Sequence, residues 1–191
     1  MKTRVIHFLV MIICLAINVN AQSTIHSDVK TFDLKGKVKK CTYTQCSTPP
    51  GETICSFSLS GKYEPSSIVG KTKIDRDEKG RIIMIKNMTS DGEGGVVESL
   101  TYNEKGLVSE VYVMVITQKV PLIETLYKYT YNASNRISKC EKNSMNNLTD
   151  KVETSTYLYS YTKIDEKGNW TERTVTNNGE KEIERRSLVY Y

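Results

Sequence analysis

Tyr102-Asn103-Glu104-Lys105-Gly106-Leu107-Val108 is one of five related stretches of the chain, and this repeat decides the fold. The first, second, fourth and fifth copies occupy residues 32–38, 76–82, 131–137 and 164–170, and the quoted stretch is the third copy. Every copy has Asp or Asn at its second position, Gly or Asn at its fifth and an apolar residue at its seventh. Because an internal repeat determines architecture before single residues do, we expect five similar structural units.

The positions of the repeat predict a hairpin tip. A short Asp or Asn side chain accepts a hydrogen bond from the backbone N–H two residues later, which closes a turn. Gly, and less readily Asn, adopts the left-handed conformation at the fifth position, and such a turn is typical of four-residue hairpin loops. We therefore expect the β-prone seventh residues to point inward from the outgoing strands as part of the core: Val38, Ile82, Val108, Ile137 and Trp170.

The rest of the chain is rich in Tyr, Thr and Val and has no sustained helical spacing of apolar residues after the first 21 residues. Residues 22–30 are predicted to form a loose lead-in. The predicted strands lie at about residues 37–46, 53–63, 68–76, 80–89, 96–103, 107–118, 122–132, 136–143, 151–164, 168–176 and 181–190. Sequence neighbours joined by short turns pair antiparallel. We predict an all-β fold, an antiparallel hairpin meander that forms a twisted, curved sheet or a partly closed barrel.

Two parts of the chain resemble families of exported bacterial proteins. The third copy, followed about twenty residues later by Tyr127-Lys128-Tyr129-Thr130-Tyr131-Asn132, resembles the YD (RHS-type) repeat. The fifth copy and the residues after it are similar to a family of small secreted proteins of Gram-negative gut bacteria, a domain of unknown function. The resemblance covers roughly residues 31–191 and implies a β-rich exported domain without assigned catalytic residues. The longer, variable spacing and the cysteines depart from YD repeats, and the role of those repeats as a toxin shell is not carried over.

Residues 1–21 have the features of a secretory signal peptide. Basic residues precede an apolar run over residues 8–17, which is too short to span a membrane, and Ala21 ends a cleavage sequence. A lipoprotein signal needs a small residue before its cysteine, and Cys14 follows isoleucine. We predict cleavage after Ala21, a periplasmic or secreted protein that is not a lipoprotein, and a single β-rich domain over residues 22–191.

Composition predicts few kinds of partner. The chain has 27 basic and 22 acidic residues, an excess too small to indicate nucleic-acid binding, and no later segment is apolar enough for a membrane span. His26 is the one histidine after the predicted cleavage site, so a nucleophile would lack a histidine base. No pair of cysteines has zinc-ligand spacing. We predict no catalytic residue, no metal site and no cofactor.

Four cysteines follow the predicted cleavage site, and an exported protein meets conditions that favour disulfides. A hairpin centred on Pro49-Pro50-Gly51 places Cys46 opposite Cys55, and cross-strand partners lie close enough for a disulfide. We therefore predict a bond between these two. Cys41 and Cys140 occupy equivalent repeat positions, five residues after Gly or Asn. Two interpretations of this second pair are open: buried thiols or a second disulfide.

Two predicted strands carry tyrosine at alternate positions, which puts each triplet on one face. The six residues are Tyr127, Tyr129, Tyr131, Tyr157, Tyr159 and Tyr161. If that face is covered, the rings are core packing. If it is open, they form an aromatic platform, and large exposed apolar patches mark interaction sites. We treat the six as tentative ligand-binding residues, because tyrosine suits both sugar rings and protein partners.

Three functions are compatible with this sequence. The leading hypothesis is a non-catalytic binding or scaffold module at the cell envelope, with a glycan or an envelope protein as ligand. The second is a structural or assembly protein that pairs with a partner through a strand edge. The third is a glycan hydrolase that uses two carboxylates, whose arrangement in space the sequence does not reveal.

Overall fold

A computed structural model describes residues 28–45, 51–65 and 70–191. In these residues the chain forms one short helix, α1 (Asp28–Thr31), and one twelve-stranded antiparallel sheet. The strands are β1 (Val38–Gln45), β2 (Gly51–Phe57), β3 (Tyr63–Glu64), β4 (Lys71–Arg76), β5 (Ile82–Met88), β6 (Gly95–Tyr102), β7 (Val108–Thr117), β8 (Val120–Tyr131), β9 (Ile137–Asn146), β10 (Lys151–Ile164), β11 (Trp170–Asn177) and β12 (Glu180–Tyr190). The predicted all-β antiparallel meander is confirmed.

The sheet is open, and its strand order shows why it must curve. β4 to β12 follow one another as neighbours, β1 pairs with β12, and β3 and β4 are the two edges. Twelve flat strands would separate these edges by about 50 Å. The seven residue steps from Glu64 to Lys71 reach at most roughly 25 Å. The sheet therefore bends so that its edges approach, but it is not closed into a barrel.

The later copies of the repeat close hairpin tips as predicted. At the second copy, the Asp77 carboxylate accepts hydrogen bonds from the backbone N–H of Lys79 (3.0 Å) and of Arg81 (2.8 Å). Asp165 makes the same pair of bonds at the fifth copy. The fifth-position residue has a positive φ in every copy, including Asn135 at 57°. All five seventh-position residues are at most 1% exposed, so the prediction that they point inward is confirmed.

Tyrosine hydroxyls connect one repeat to the next. Tyr102, Tyr131 and Tyr161 each donate a hydrogen bond to the carbonyl of a seventh-position residue in the preceding copy. Tyr102 reaches the Ile82 oxygen at 2.6 Å, and Tyr131 reaches the Val108 oxygen at 2.6 Å. These carbonyls belong to the first residues of β5, β7 and β9, directly after a hairpin tip. At each of them the pairing with the preceding strand has a register shift. The tyrosines therefore satisfy backbone acceptors there, which phenylalanine cannot do.

Residues 28–30 belong to helix α1, so the prediction of a loose lead-in is wrong for them. The Asp28 carboxylate accepts two bonds from the Arg76 guanidinium on β4, at 2.5 and 2.8 Å. It also accepts a bond from the backbone N–H of Tyr63 on β3 at 2.8 Å. One fully buried side chain thus links the two edges of the sheet. The available signal was Val29 and Phe32, one helical turn apart and both buried.

The first copy is not a hairpin tip, which corrects the prediction for residues 32–38. Helix α1 rather than a strand directly precedes it, so within the described residues the turn has no incoming strand to join. The segment instead docks on the fifth copy. The backbone N–H of Lys35 donates to the Asn169 side-chain oxygen (2.7 Å), and the Asn169 amide donates to the Lys35 carbonyl (3.0 Å). The Trp170 indole N–H donates to the Asp33 carboxylate (3.0 Å).

The register of β1 and β2 differs from the predicted one. Cys41 lies opposite Cys55, and pairing ends at Gln45 opposite Gly51. Position 46 lies outside the described residues. Cys41 and Cys55 are buried on the same face, and a register that set position 46 opposite Cys55 would turn Cys41 away from it, since neighbours in a strand alternate faces. The predicted hairpin register is therefore wrong.

Candidate ligand-binding site

The six predicted tyrosines lie on the inner face of the sheet, defined here as the face that carries the buried residues. Tyr127 and Tyr129 are buried, and the other four are partly buried and packed against the core. Their exposed neighbours on the same strands, such as Leu158, point to the outer face. The geometry is therefore that of packing on a largely covered face, and a role of these residues in ligand binding stays a prediction.

One strand separates the two tyrosine triplets. Tyr129 on β8 lies opposite Cys140 on β9, and Cys140 lies opposite Tyr157 on β10. On the other side of β10, Tyr161 lies opposite Arg173, and Tyr159 lies opposite Val175. The triplet on β10 therefore borders β11, which pairs in turn with β12, and on these two strands the inner face becomes charged.

We call this charged region the inner polar cluster, formed by Tyr43, Tyr159, Trp170, Arg173, Glu184 and Arg186. Arg173 donates to the Glu184 carboxylate at 2.6 Å, and both side chains are nearly inaccessible to solvent. The Arg173 guanidinium lies over the Tyr159 ring (4.4 Å) and over the Trp170 ring (4.3 Å). The cluster thus combines cation–π contacts with a buried ion pair.

Arg186 approaches the Trp170 ring as well, at 4.1 Å. It donates to the backbone carbonyl of Trp170 (2.5 Å) and to that of Asp33 (3.0 Å). Tyr43 packs edge-on against the same indole, with ring centroids 5.4 Å apart. Trp170 is therefore the hub of the cluster, which confirms its prediction as a core residue.

Buried polar atoms of this cluster have unused hydrogen-bonding capacity. Within the part of the chain that the structure describes, Nη1 of Arg173, Nη1 of Arg186 and the Tyr43 hydroxyl have no hydrogen-bond partner. Unpaired buried polar groups are rare, and each usually marks a water, an ion or a ligand. Three further side chains on the described inner face have such atoms: Glu98, Asn177 and Glu182.

Burial shifts the acid–base behaviour of the inner face. It raises the pKa of Asp33 to about 6, although Arg186 and Arg173 oppose the shift. Burial also raises the pKa of Glu98 well above its usual range. For Glu182, burial and then the neighbouring Glu184 charge raise the pKa. Burial alone shifts the pKa of Glu98, whereas at Asp33 the charges of Arg186 and Arg173 oppose the effect of burial.

Sequence reasoning missed the charged part of this face. Along β12, Glu182, Glu184 and Arg186 point inward while Ile183 is exposed, which inverts the usual pattern of apolar-in and polar-out. Leu188 packs against the core on the inner face. Because side chains alternate along a strand, every second residue before Leu188 is expected on the same face, and this rule would have revealed the three charged residues.

No protein-family model matches the chain, and no curated protein sequence matches it. The resemblance to YD repeats therefore stays a prediction. None of the helices in the described residues is long and apolar enough to cross a membrane. No group of three or more His, Cys, Asp or Glu side chains in those residues is arranged to hold a metal ion. The inner polar cluster is thus the strongest candidate site that the described residues offer.

Proposed function

We propose that this chain is an exported, non-catalytic binding module whose site is the inner face around β10, β11 and β12. The observation that supports this proposal is the buried Arg173 guanidinium, one nitrogen of which has no hydrogen-bond partner among the described residues. Replacing buried ion pairs by apolar residues is often neutral or stabilising, so a charged cluster of this kind is weakly explained by stability. A ligand that displaces the covering side chains and accepts hydrogen bonds from the buried Arg173 and Arg186 would explain it.

The chemistry of the face favours an acidic glycan, that is, a sugar chain with carboxylate groups. The partly buried Tyr157 and Tyr159 offer flat apolar rings with polar edges, which suit sugar rings. Guanidinium groups bind carboxylates through parallel hydrogen bonds. Glu182 and Asn177 add polar atoms without partners in the described structure, suited to sugar hydroxyls. Neutral glycans would use the rings and leave the guanidinium nitrogens unpaired, so they are expected to bind more weakly.

Calorimetric titration of the purified full chain with a panel of acidic and neutral glycans tests the proposal. Saturable binding of an acidic glycan is expected, weakened at least about tenfold in Tyr159→Ala, since an aromatic ring stacked on a nucleic-acid base contributes on the order of 1–3 kcal/mol and we expect a sugar ring to be similar. Leu158→Ala is the matched control, because Leu158 is the next residue along β10 and is 52% exposed on the outer face. Equal weakening by both variants, or no saturable binding, would contradict the proposal.

The same panel tests whether the module is free of catalysis. Glu98 and Glu182 are inner-face carboxyl groups with raised pKa values, a property that general acids of glycan hydrolases share. The proposal expects every glycan to be recovered intact after long incubation. Release of new sugar reducing ends that disappears in Glu98→Gln would assign the chain to the hydrolases instead.

A second candidate is assembly through a strand edge. β4 is an edge strand of six residues, and no strand of the described residues pairs with its far side, which is the geometry that strand addition requires. The exposed Lys71 and Lys73 oppose it, because charged side chains protect edges from pairing. Size-exclusion chromatography with light scattering separates the two: concentration-dependent oligomers would favour assembly, and a monomer at high concentration would favour the binding module.

A further inference from the structure

Cys41 and Cys55 face each other across the β1–β2 pair. They are direct register partners, and both side chains are fully buried on the inner face. Both are thiols in this structure. Direct partners in an antiparallel pair have Cα atoms about 4.5–5.5 Å apart, and disulfides occur at Cα separations of about 4.4–6.8 Å. Since direct partners also point to the same face, the two thiols are placed for a bond that requires little backbone movement.

We propose that Cys41 and Cys55 form a cross-strand disulfide as the chain folds in the presence of a small-molecule or protein disulfide oxidant. The Cys41 thiolate attacks one sulfur of the oxidant, so a mixed disulfide forms and one oxidant thiolate leaves and takes up the Cys41 proton. The Cys55 thiolate then attacks the Cys41 sulfur. The Cys41–Cys55 bond forms, the second oxidant thiolate leaves and takes up the Cys55 proton, and two electrons have passed to the oxidant.

The bond must form before the inner face is covered. Burial raises the pKa of Cys41 to about 11 in the folded chain, and burial followed by the neighbouring Cys41 raises the pKa of Cys55 further. The thiolate is the attacking species, so both groups are nearly unreactive once folded. In an unfolded or partly folded chain both titrate normally. Oxidation therefore belongs to folding, and the finished bond is shielded from reductants by the same burial.

The sequence allows this pairing to be distinguished from the alternative with Cys46. Combined digestion at basic, acidic and aromatic residues separates the three cysteines, because Tyr43 lies between Cys41 and Cys46 and Glu52 lies between Cys46 and Cys55. The full chain is reduced in urea, refolded with oxidised glutathione, alkylated and digested without reductant. Mass spectrometry should find the Cys41 fragment joined to the Cys55 fragment, with the mass of two hydrogens lost.

Variants and a stability measurement complete the test. Cys46→Ser should leave the linkage between Cys41 and Cys55 unchanged. Cys140→Ser should leave it unchanged as well, because Cys140 is on β9 and its register partners are tyrosines of β8 and β10, not cysteines. The thermal midpoint of the chain refolded with oxidised glutathione should lie roughly 6–12 °C above that of the chain refolded in reductant, as expected for closing a loop of about 15 residues. A fragment of Cys55 joined to Cys46, or alkylation of both Cys41 and Cys55 after oxidative refolding, would overturn the proposal.

Discussion

The first and the fifth copies of the repeat have the same sequence signature and different structures. At the fifth copy, Asp165 closes a turn by accepting two backbone hydrogen bonds. At the first copy, Asp33 itself has a positive φ of 52°, and its carboxylate accepts a bond from Trp170, 137 residues away. The second-position carboxylate thus closes its own turn in one copy and makes a tertiary contact in the other.

The comparison separates what the signature encodes from what context adds. Both copies share the left-handed glycine, Gly36 at φ 79° and Gly168 at φ 82°, and both bury their seventh residue. Turn closure depends on an incoming strand, which the first copy lacks. The docking of the first copy on the fifth brings distant parts of the chain together, because it joins the segment before β1 to the hairpin tip before β11.

The largest expected effect comes from Trp170→Ala. This side chain belongs to the fifth copy's core position and also holds the first copy through Asp33. We expect a loss of about 3–5 kcal/mol in the free energy of unfolding, as for buried aromatic residues generally. Urea unfolding followed by far-UV circular dichroism measures it. Ile137→Ala, at the same position of the fourth copy, is the control. A loss for Trp170→Ala no larger than for Ile137→Ala would mean that the docked segment adds nothing.

The second effect is a pH dependence specific to the first copy. The pKa of Asp33 is raised to about 6 in the folded chain from about 4 when unfolded, so the folded state binds the proton more tightly. This contribution to stability is present below pH 4 and is lost as the pH rises to 6. In Asp33→Asn it is absent. The free energy of unfolding of Asp33→Asn minus that of the wild type should therefore increase by about 2 kcal/mol from pH 4 to pH 7.

Fluorescence of Trp170, the single tryptophan, reports this unfolding at each pH. Asp165→Asn serves as the matched variant at the fifth copy, where the carboxylate at the same repeat position closes its own turn at a partly exposed tip. If the free energy of unfolding relative to the wild type changed equally with pH in both variants, the two carboxylates would have equivalent surroundings, which contradicts the difference between the first and fifth copies.

The third effect concerns the side-chain amide of Asn169, which forms hydrogen bonds with the backbone of the first copy at Lys35. Asn169→Ala removes the acceptor of the Lys35 N–H and the donor to the Lys35 carbonyl. We expect a loss of about 2 kcal/mol in the free energy of unfolding, since it leaves partly buried backbone groups unpaired. Arg136→Ala changes the equivalent position of the fourth copy, on which no segment of the described residues docks in this way. The same urea titration should show a loss in the free energy of unfolding well below half that of Asn169→Ala.

The smallest effect concerns the connection between the later copies. Tyr131→Phe removes the hydroxyl that donates to the Val108 carbonyl and keeps the packed ring. We expect a loss of about 1 kcal/mol in the free energy of unfolding. Tyr112→Phe is the control, since Tyr112 points to the outer face and bonds to the solvent-accessible Glu124. Identical thermal midpoints for Tyr131→Phe and the wild type would remove the structural role assigned to these hydroxyls.

Local patterns explain which parts of the structure were predictable from sequence. Gly106, Asn103 and Val108 act within a few residues, so the hairpin tips, their left-handed positions and the inward residues follow from the sequence. Two features depend on partners distant in sequence. Asp28 links Arg76 and Tyr63, and the inner polar cluster joins β1, β10, β11 and β12. Nothing near Asp28 or Arg173 in the chain specifies which residues curvature will bring to them.

The β1–β2 register shows a different limit. Pro49-Pro50-Gly51 is a turn signal, yet Gly51 is already paired with Gln45 as the first residue of β2. The inward alternation of Cys41 and Tyr43 fixes the register more strongly than the turn residues do, because a one-residue slip would turn both side chains outward.

Amide hydrogen exchange at Lys35 tests the docking of the first copy on the fifth most directly. The described hydrogen bond of this N–H is to Asn169, at 2.7 Å. We predict that exchange, followed by NMR, is slowed at least on the order of a hundredfold relative to an unstructured peptide in the wild type, and that this protection is lost in Asn169→Ala while the Gly80 amide stays protected. Rapid exchange of the Lys35 amide in the wild type, or equal protection in the variant, would contradict the docking.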